Sequence, residues 1–429
     1  MKLRTTIIAF LIALSFPVHA KPMKVYILAG QSNMLGNAKI GTFDYIGDDP
    51  ATAPMLKDMV GADGKPVTCD NAWISYFTGE HKNGESIGKL TAGYGARHNI
   101  QKSDGKIGPE FTFGIYMQKH VKEPILIIKT SWGGKSISNE FRPPSAGPYK
   151  LCKLAQKKFA ENPNGAHGIP SENDRPEWWR RKQAGTSVCY RAMIKHVKHV
   201  LSDIKRIYPG YDEKQGYELA GFVWFQGWND LWDWQAYWPD GKPDRFALYS
   251  KLLSIFIREV RKDLKAPKMP FVIGVIGVRG VDGLTDEKNG KDPFREAMRA
   301  PAKMPEFKGN VVAVETAPFW PRELAAIERK INQVNGMRHA LRNRDKNHAN
   351  ADGEMTEEEQ RKYVENYRKK LLTPEDELKW KRGASDGGFH YMGCAKTMAQ
   401  IGKAFADALA EMAPSHPLPP NRLPGDTRQ

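Results

Sequence analysis

Hydrolytic acyl transfer needs a nucleophile, a base that takes its proton, a group that orients the base, and donors for the oxyanion. Four separated stretches of this 429-residue chain carry residue types suited to those tasks. Gly30-Gln31-Ser32-Asn33 follows an apolar run over 25–29, and Trp132-Gly133-Gly134 follows another over 125–128. Gln226-Gly227-Trp228-Asn229-Asp230 comes after a third, over 222–225. Ser385-Asp386-Gly387-Gly388-Phe389-His390 stands just ahead of the last helical pattern. Each stretch also has an ordinary structural explanation. A Ser or Asn after a strand commonly caps the next helix, a glutamine can tie loops together, and a histidine can be a satisfied structural group.

The elements that must position these stretches are short buried strands alternating with helices. An apolar run that stops at Gly beside small polar residues fits a parallel strand delivering a side chain to the carboxyl edge of a sheet. Gly30 permits the sharp turn there. Gly108-Pro109-Glu110 opens a helix, with Pro at the first position and an acid in the first turn. Strand, helix and strand then make a βαβ unit. Amphipathic helices are expected over 191–208 and 244–264, strands over 271–278 and 310–315, a helix near Glu296 and a final helix over 392–412. His196 and His199, in the first of those helices, are expected to face solvent rather than to bind metal. Five strands alternating with helices predict a three-layer α/β/α sandwich on a parallel five-stranded sheet. Residues 21–413 read as one domain with large insertions at about 37–107, 139–185 and 321–381. The first insertion is expected to be irregular, with Tyr76, Phe77 and Tyr94 pinning it. The second reads as loop with at most a short helix. The third is highly charged and helical in character.

The first twenty residues read as a signal peptide, with Lys2 and Arg4, an apolar stretch over 7–16 and a small residue at Ala20, where cleavage is expected. An uncleaved anchor is the alternative. The expected location is periplasmic or extracellular, with no stable membrane insertion. Residues 414–429 hold five prolines and read as an extended tail. The formal net charge of +16 favours anionic surroundings such as an acidic polysaccharide. Nucleic acid is not expected as a partner, because no basic cluster is interleaved with aromatics and no zinc-finger or RNA-binding signature is present. Cys69, Cys152, Cys189 and Cys394 allow one or two disulfides in an exported chain. A bridge from Cys152 to Cys189 would close a loop-rich stretch, although spacing does not choose among the pairings. None of them has CxxC spacing, which disfavours a cysteine zinc site.

Ala29-Gly30-Gln31-Ser32-Asn33-Met34, the Trp-Gly-Gly turn, Trp224-Phe225-Gln226-Gly227 and the segment from Asp386 to His390 resemble, in order, the four blocks of the SGNH/GDSL hydrolase superfamily. More specifically they resemble its sialate O-acetylesterase-like branch, which includes carbohydrate esterase family six. The resemblance implies an SGNH, flavodoxin-like fold. It implies Ser32 as nucleophile with its own N–H in the oxyanion hole, Gly134 as a second N–H donor and the Gln226 amide as a third. His390 would be the base and Asp386 its orienter, with no metal and no cofactor. Gln31, Asn33, Trp228 and Asn229 are expected to border the substrate. Two features depart from the family pattern. Asp386 and His390 are four residues apart rather than three, and Trp228 stands where related enzymes carry a carboxylate.

The expected function is therefore an exported serine esterase that removes O-acyl, most simply O-acetyl, groups from a carbohydrate through an acyl-enzyme. Trp224, Trp228, Trp232, Trp234 and Trp238 would suit sugar stacking, or else core and loop packing. A non-catalytic carbohydrate-binding protein on a degenerate hydrolase scaffold is the alternative from another class. An esterase for lipid or thioester acyl groups is a third reading.

Overall fold

Strand β1 (Met23–Gly30) is buried along almost its whole length, which is why its sequence is a continuous apolar run rather than an alternation. It is the central strand of the computed structural model, which describes residues 21–78, 84–96, 98–166, 168–237, 245–281, 283 and 292–412. The expected signal peptide, the proline-rich tail and Trp238 lie outside the described residues. Six further strands join it: β2 (Thr68–Phe77), β3 (Glu85–Thr91), β4 (Ile125–Ser131), β5 (Tyr217–Phe225), β6 (Phe271–Val275) and β7 (Val311–Glu315). The order across the sheet is β3-β2-β4-β1-β5-β6-β7. Every neighbouring pair is parallel except the edge pair β2 and β3.

The sheet thus has seven strands rather than the expected five. Both extra strands come from 37–107, the stretch expected to be irregular. Their pattern is hard to read because β3 is a half-exposed edge strand and β2 breaks register between Thr68 and Trp73. Tyr76 and Phe77 therefore sit on a strand, with Tyr76 buried in the main core and Phe77 packed edge-on to Trp132 at 5.8 Å.

Helices cover both faces of the sheet. The main helices are α1 (Ser32–Leu35), α2 (Glu110–His120), α3 (Val188–Ser202), α4 (Ala247–Asp263), α5 (Arg322–Arg342), α6 (Glu357–Leu371), α7 (Pro374–Gly383) and α8 (Ala395–Met412), of which α2, α3, α4 and α8 lie against the sheet. Consecutive residues of β5 point to opposite faces. Trp224 meets Phe256 of α4 at 4.4 Å, and Phe225 meets Phe405 of α8 at 5.4 Å. Helix α3 joins α4 through Tyr190 and Phe256, while α2 packs on α8. Helices α5 to α7 fill the charged stretch 321–381 as expected. Capping boxes at Thr356 and Thr373 open α6 and α7 by satisfying the first free N–H groups. Two helices, Lys153–Glu161 and Arg175–Gly185, occupy the stretch read mostly as loop. All four cysteines are unpaired thiols, so no bridge joins Cys152 to Cys189.

His196 is buried, contrary to the expectation that it faces solvent. Ser75 Oγ lies 2.8 Å from His196 Nε2 and donates to Glu85 Oε1 at 2.6 Å, and Arg206 grips Glu85 with two hydrogen bonds. Because the one hydroxyl proton goes to Glu85, His196 Nε2 is the donor to Ser75. Burial pushes the His196 pKa down from 6.5 to about 4. The unfolded chain then binds the extra proton. Stability is full above the unfolded value and is lost as pH falls from 6.5 toward 4. Chemical denaturation is expected to show a loss of about 2 kcal/mol between pH 7 and pH 5 that shrinks in His196→Gln. Equal losses in both proteins would assign the pH dependence to other groups.

Candidate active site

The site forms where β1, β4 and β5 end side by side, at the carboxyl edge of the sheet. The chain runs from β1 out to β2, back to β4, and then to β5 on the other side of β1. Such a reversal of strand order leaves a crevice above the central strand. At Gly30 a Cβ would stand 2.1 Å from the Phe225 carbonyl oxygen, so only glycine lets β1 and β5 finish this close together. Gln31 N–H donates to that same oxygen at 3.3 Å, and the chain turns into α1.

Ser32 is the first residue of α1 and is partly exposed. It is not a helix cap: Gln31 occupies the cap position and no side chain bonds there. The Ser32 hydroxyl makes no hydrogen bond among the described residues. Its N–H lies in the first turn of the helix, where backbone donors have no intrahelical partner. At the end of β4, Trp132 N–H donates to Gly30 O at 3.2 Å and aligns the glycine turn with the Ser32 turn. Gly134 has φ +71°, and a Cβ there would meet nothing within 4 Å, so this peptide borders open space.

The end of β5 is a buried polar knot. Gln31 Oε1 accepts from Gly227 N–H at 2.9 Å, from Asn229 N–H at 3.4 Å and from Gln226 Nε2 at 3.3 Å. Gln226 Nε2 also donates to Lys135 O at 3.2 Å and makes a close hydrogen bond to Asp230 Oδ2. Asp230 is fully buried and accepts in addition from Ile137 N–H, Ser138 N–H and Tyr237 OH. Burial raises its pKa from 3.8 to about 6 against the pull of these donors. The amide of Gln226 is therefore occupied within the protein. Asn229 Nδ2 donates to Lys135 O at 3.2 Å, and Trp228 is half-buried.

His390 and Asp386 arrive from the far end of the chain. Asn33 Nδ2 donates to Phe389 O at 3.3 Å and Lys39 N–H to Ser385 Oγ at 3.1 Å, which ties their loop to the Ser32 turn. Asp386 Oδ1 lies 3.2 Å from His390 Nδ1, but off the direction in which that N–H points, so Nδ1 lacks a well-aligned partner. Burial raises the Asp386 pKa, but His390, the Gly387 N–H and Lys106 outweigh it and hold the carboxyl below the usual aspartate value. The four-residue spacing is accommodated by a kink. His390 leaves the helical region, and Tyr391, Met392 and Gly393 follow with φ of 53°, 56° and 57°. Left-handed backbone at two consecutive non-glycine residues costs about 1–3 kcal/mol each and persists only where the surroundings impose it. Here they do. Tyr391 is fully buried; its OH accepts from Gly277 N–H at 2.6 Å and pairs with Thr316 Oγ1 at 2.7 Å, and Thr316 donates to Val275 O. The kink is thus bolted to the ends of β6 and β7.

The structure thus brings Ser32, Gly134, Gln226, Asp386 and His390 to one edge, with Trp228 and Asn229 beside them. It buries Gln31 and Asn33 as ties beneath that edge. Sequence reasoning missed Lys129, fully buried at the end of β4. Its Nζ reaches Leu35 O, Tyr94 O and Glu110 Oε2 at 2.9, 2.8 and 2.7 Å. A lone lysine inside an apolar strand was the available signal. Asp230, quoted within its stretch, and Tyr391, next to His390, were given no role. Among the described residues no group of three or more His, Cys, Asp or Glu could hold a metal ion.

The model of a family described as "Carbohydrate esterase, sialic acid-specific acetylesterase" matches residues 22–168 and 174–326, which is more than half of the chain. The match takes in Ser32, Gly134 and Gln226 and stops before Asp386 and His390. Among solved structures the chain is similar to a protein from Arabidopsis thaliana (18% identity, 69% of this chain and 86% of that one, TM-score 0.34). It is also similar to a carbohydrate acetylesterase from Xanthomonas citri (13%, 68% and 49%, TM-score 0.32), of which it spans about half the length. A third is NanS (14%, 69% and 78%, TM-score 0.37). No curated protein matches the chain. On the extent of the family match, the chain belongs to this family of carbohydrate esterases.

Proposed function

We propose that the protein is an exported serine esterase of SGNH type, with residues 21–413 as one catalytic domain, that removes O-acetyl groups from a carbohydrate. The observation that carries this reading is the meeting of the Ser32 turn and the His390 loop, joined by the hydrogen bond from Asn33 to Phe389 O. His390 takes the Ser32 proton as Oγ attacks the acetyl carbon. The N–H groups of Ser32 and Gly134 receive the oxyanion. His390 then gives its proton to the departing sugar oxygen, and water, deprotonated by the same histidine, releases acetate. Asp386 stays ionised and favours the imidazolium. Gln226 reaches the oxyanion only by exchanging one of its present acceptors; as it stands, its amide braces the wall through Asp230. In this reading Trp228 and Asn229 border the sugar.

One observation favours the competing reading, a carbohydrate-binding protein on an inactive frame. Ser32 Oγ has no hydrogen bond to His390, and His390 Nδ1 is poorly aligned with Asp386. Apo active sites often show such loose geometry, which tightens when substrate binds. Rapid mixing of the wild type with p-nitrophenyl acetate, alongside acetate release from an O-acetylated polysaccharide, separates the two. A p-nitrophenol burst with acetate release from the polymer supports the esterase. A folded protein with neither activity would leave the binding protein.

Tyr391 sits next to the base and holds the kink that aims it. Tyr391→Phe removes the partner of the Gly277 N–H, a loss worth about 1–3 kcal/mol if the group stays buried. The variant is expected to lower kcat on p-nitrophenyl acetate by about tenfold with little change in KM, because a misplaced base costs the transition state and not binding. An unchanged kcat would show that the phenol serves stability alone.

A further inference from the structure

Beside the site lies a concavity of about 550 Å³ between the helix Lys153–Glu161, the loop after it and the short helices Trp228–Trp232 and Trp234–Tyr237. Its lining includes Trp232, Trp234, Lys158 and Arg245. Trp232 is 54% exposed, an unusual state for the largest apolar side chain. It meets Trp228 edge-on at 5.6 Å, so one aromatic strip leads from the Gln226 wall into the concavity. Positive charge frames the strip. Lys158 Nζ lies 5.5 Å from the Trp234 ring and the Arg279 guanidinium 5.8 Å from the Trp232 ring. Glu161, which also lines the concavity, is paired with Lys157 at 3.7 Å. Arg279 stands in the turn four residues after β6, with a left-handed φ of 74°, and is exposed.

We infer that this concavity is a glycan subsite that holds units of an acidic polysaccharide beyond the acetylated sugar. Exposed tryptophan faces take the apolar faces of sugar rings, and Lys158, Arg245 and Arg279 take their carboxylates. Continuity with the site through Trp228 sets the direction of the chain. The inference rests on the esterase reading above for its link to catalysis, but not for binding itself.

The test uses O-acetylated polygalacturonate, neutral O-acetylated xylan and p-nitrophenyl acetate, with wild type, Trp232→Ala and, as a second variant, Lys158→Gln. Trp232→Ala is expected to raise KM for acetylated polygalacturonate about tenfold at unchanged kcat, the loss of one stacked ring. Lys158→Gln is expected to raise it less, with the difference from wild type disappearing in high salt. Unchanged KM in both variants, or equal KM of the wild type for the neutral polymer, would overturn the subsite. If the wild type deacetylates neither polymer, the esterase reading fails separately only where p-nitrophenyl acetate is also left intact. The subsite is then read by affinity electrophoresis through de-esterified polygalacturonate. Retardation of the wild type that Trp232→Ala loses supports it, and a wild type that is not retarded overturns it.

Discussion

Ser32→Ala is expected to lower kcat on p-nitrophenyl acetate by about ten-thousand-fold or more, the usual consequence of removing the nucleophile from a serine hydrolase. The magnitude follows from what remains. The N–H groups of Ser32 and Gly134 stay in place, and so does His390, but no atom forms the acyl intermediate. The fold is expected to be unaffected. Ser32 Oγ caps no helix and holds no hydrogen bond among the described residues, and its turn is set by Gly30, Gln31 and Asn33. Steady-state rates combined with a thermal melt test both halves. A melt unchanged to within a degree or two with the rate lost identifies a nucleophile. A rate that falls less than about tenfold would mean that another group attacks the ester, or that water does so directly.

Lys129→Met is expected to cost about 3–5 kcal/mol of stability, the typical penalty for breaking a buried ion pair by removing one partner. Lys129 Nζ ties together the end of α1 through Leu35 O, the loop at Tyr94 and the carboxylate of Glu110, and both charged side chains are fully buried. Burial pushes the Lys129 pKa down and the Glu110 pKa up, and the charge of each partly offsets the shift of the other. Without the ammonium, Glu110 keeps only the Gly108 N–H as a partner from outside its own helix, and two carbonyls lose their donor. Adding Glu110→Gln to Lys129→Met is expected to recover part of the loss, because the amide still accepts from Gly108 and no unpaired charge remains. Urea denaturation of the single and double variants measures this. A single-variant cost below about 1 kcal/mol would mean that water replaces the ammonium.

The parts of the molecule that were legible in the chain share a physical cause. Strands β1, β4 and β5 are central and buried, so each carries an apolar run that gives way to polar residues at or just before its carboxyl end. The change from apolar to polar marks the sheet edge directly. Strands β2 and β3 lack that signature. The Asp70-Asn71 step interrupts one, and the other has an exposed side, which makes both look like loop. The misreading of His196 follows from that one. Its partners Ser75 and Glu85 belong to β2 and β3, so the helix face on which it lies had nothing visible to pack against. Gln226 was legible as the polar residue that follows β5 but not as an occupied one, because its acceptors Asp230 and Lys135 O become neighbours only in the fold. The tryptophans divide in the same way. Trp224 is in the core and Trp232 stands in solvent, a distinction that composition cannot draw.

The bolting of Tyr391 to the far strands has a consequence for when the enzyme becomes competent. The proposed nucleophile is among the first residues of the domain to be synthesised and the proposed base among the last. The left-handed backbone at Tyr391 and Met392 is held by the phenol's hydrogen bonds to Gly277 and Thr316, so it is expected to form only when those partners are in place. A partly made or partly assembled chain therefore carries a serine with no base. On the proposed assignment, ester hydrolysis would report that both halves of the sheet and the closing helix have come together, and a partial chain is expected to be inert toward acylated compounds.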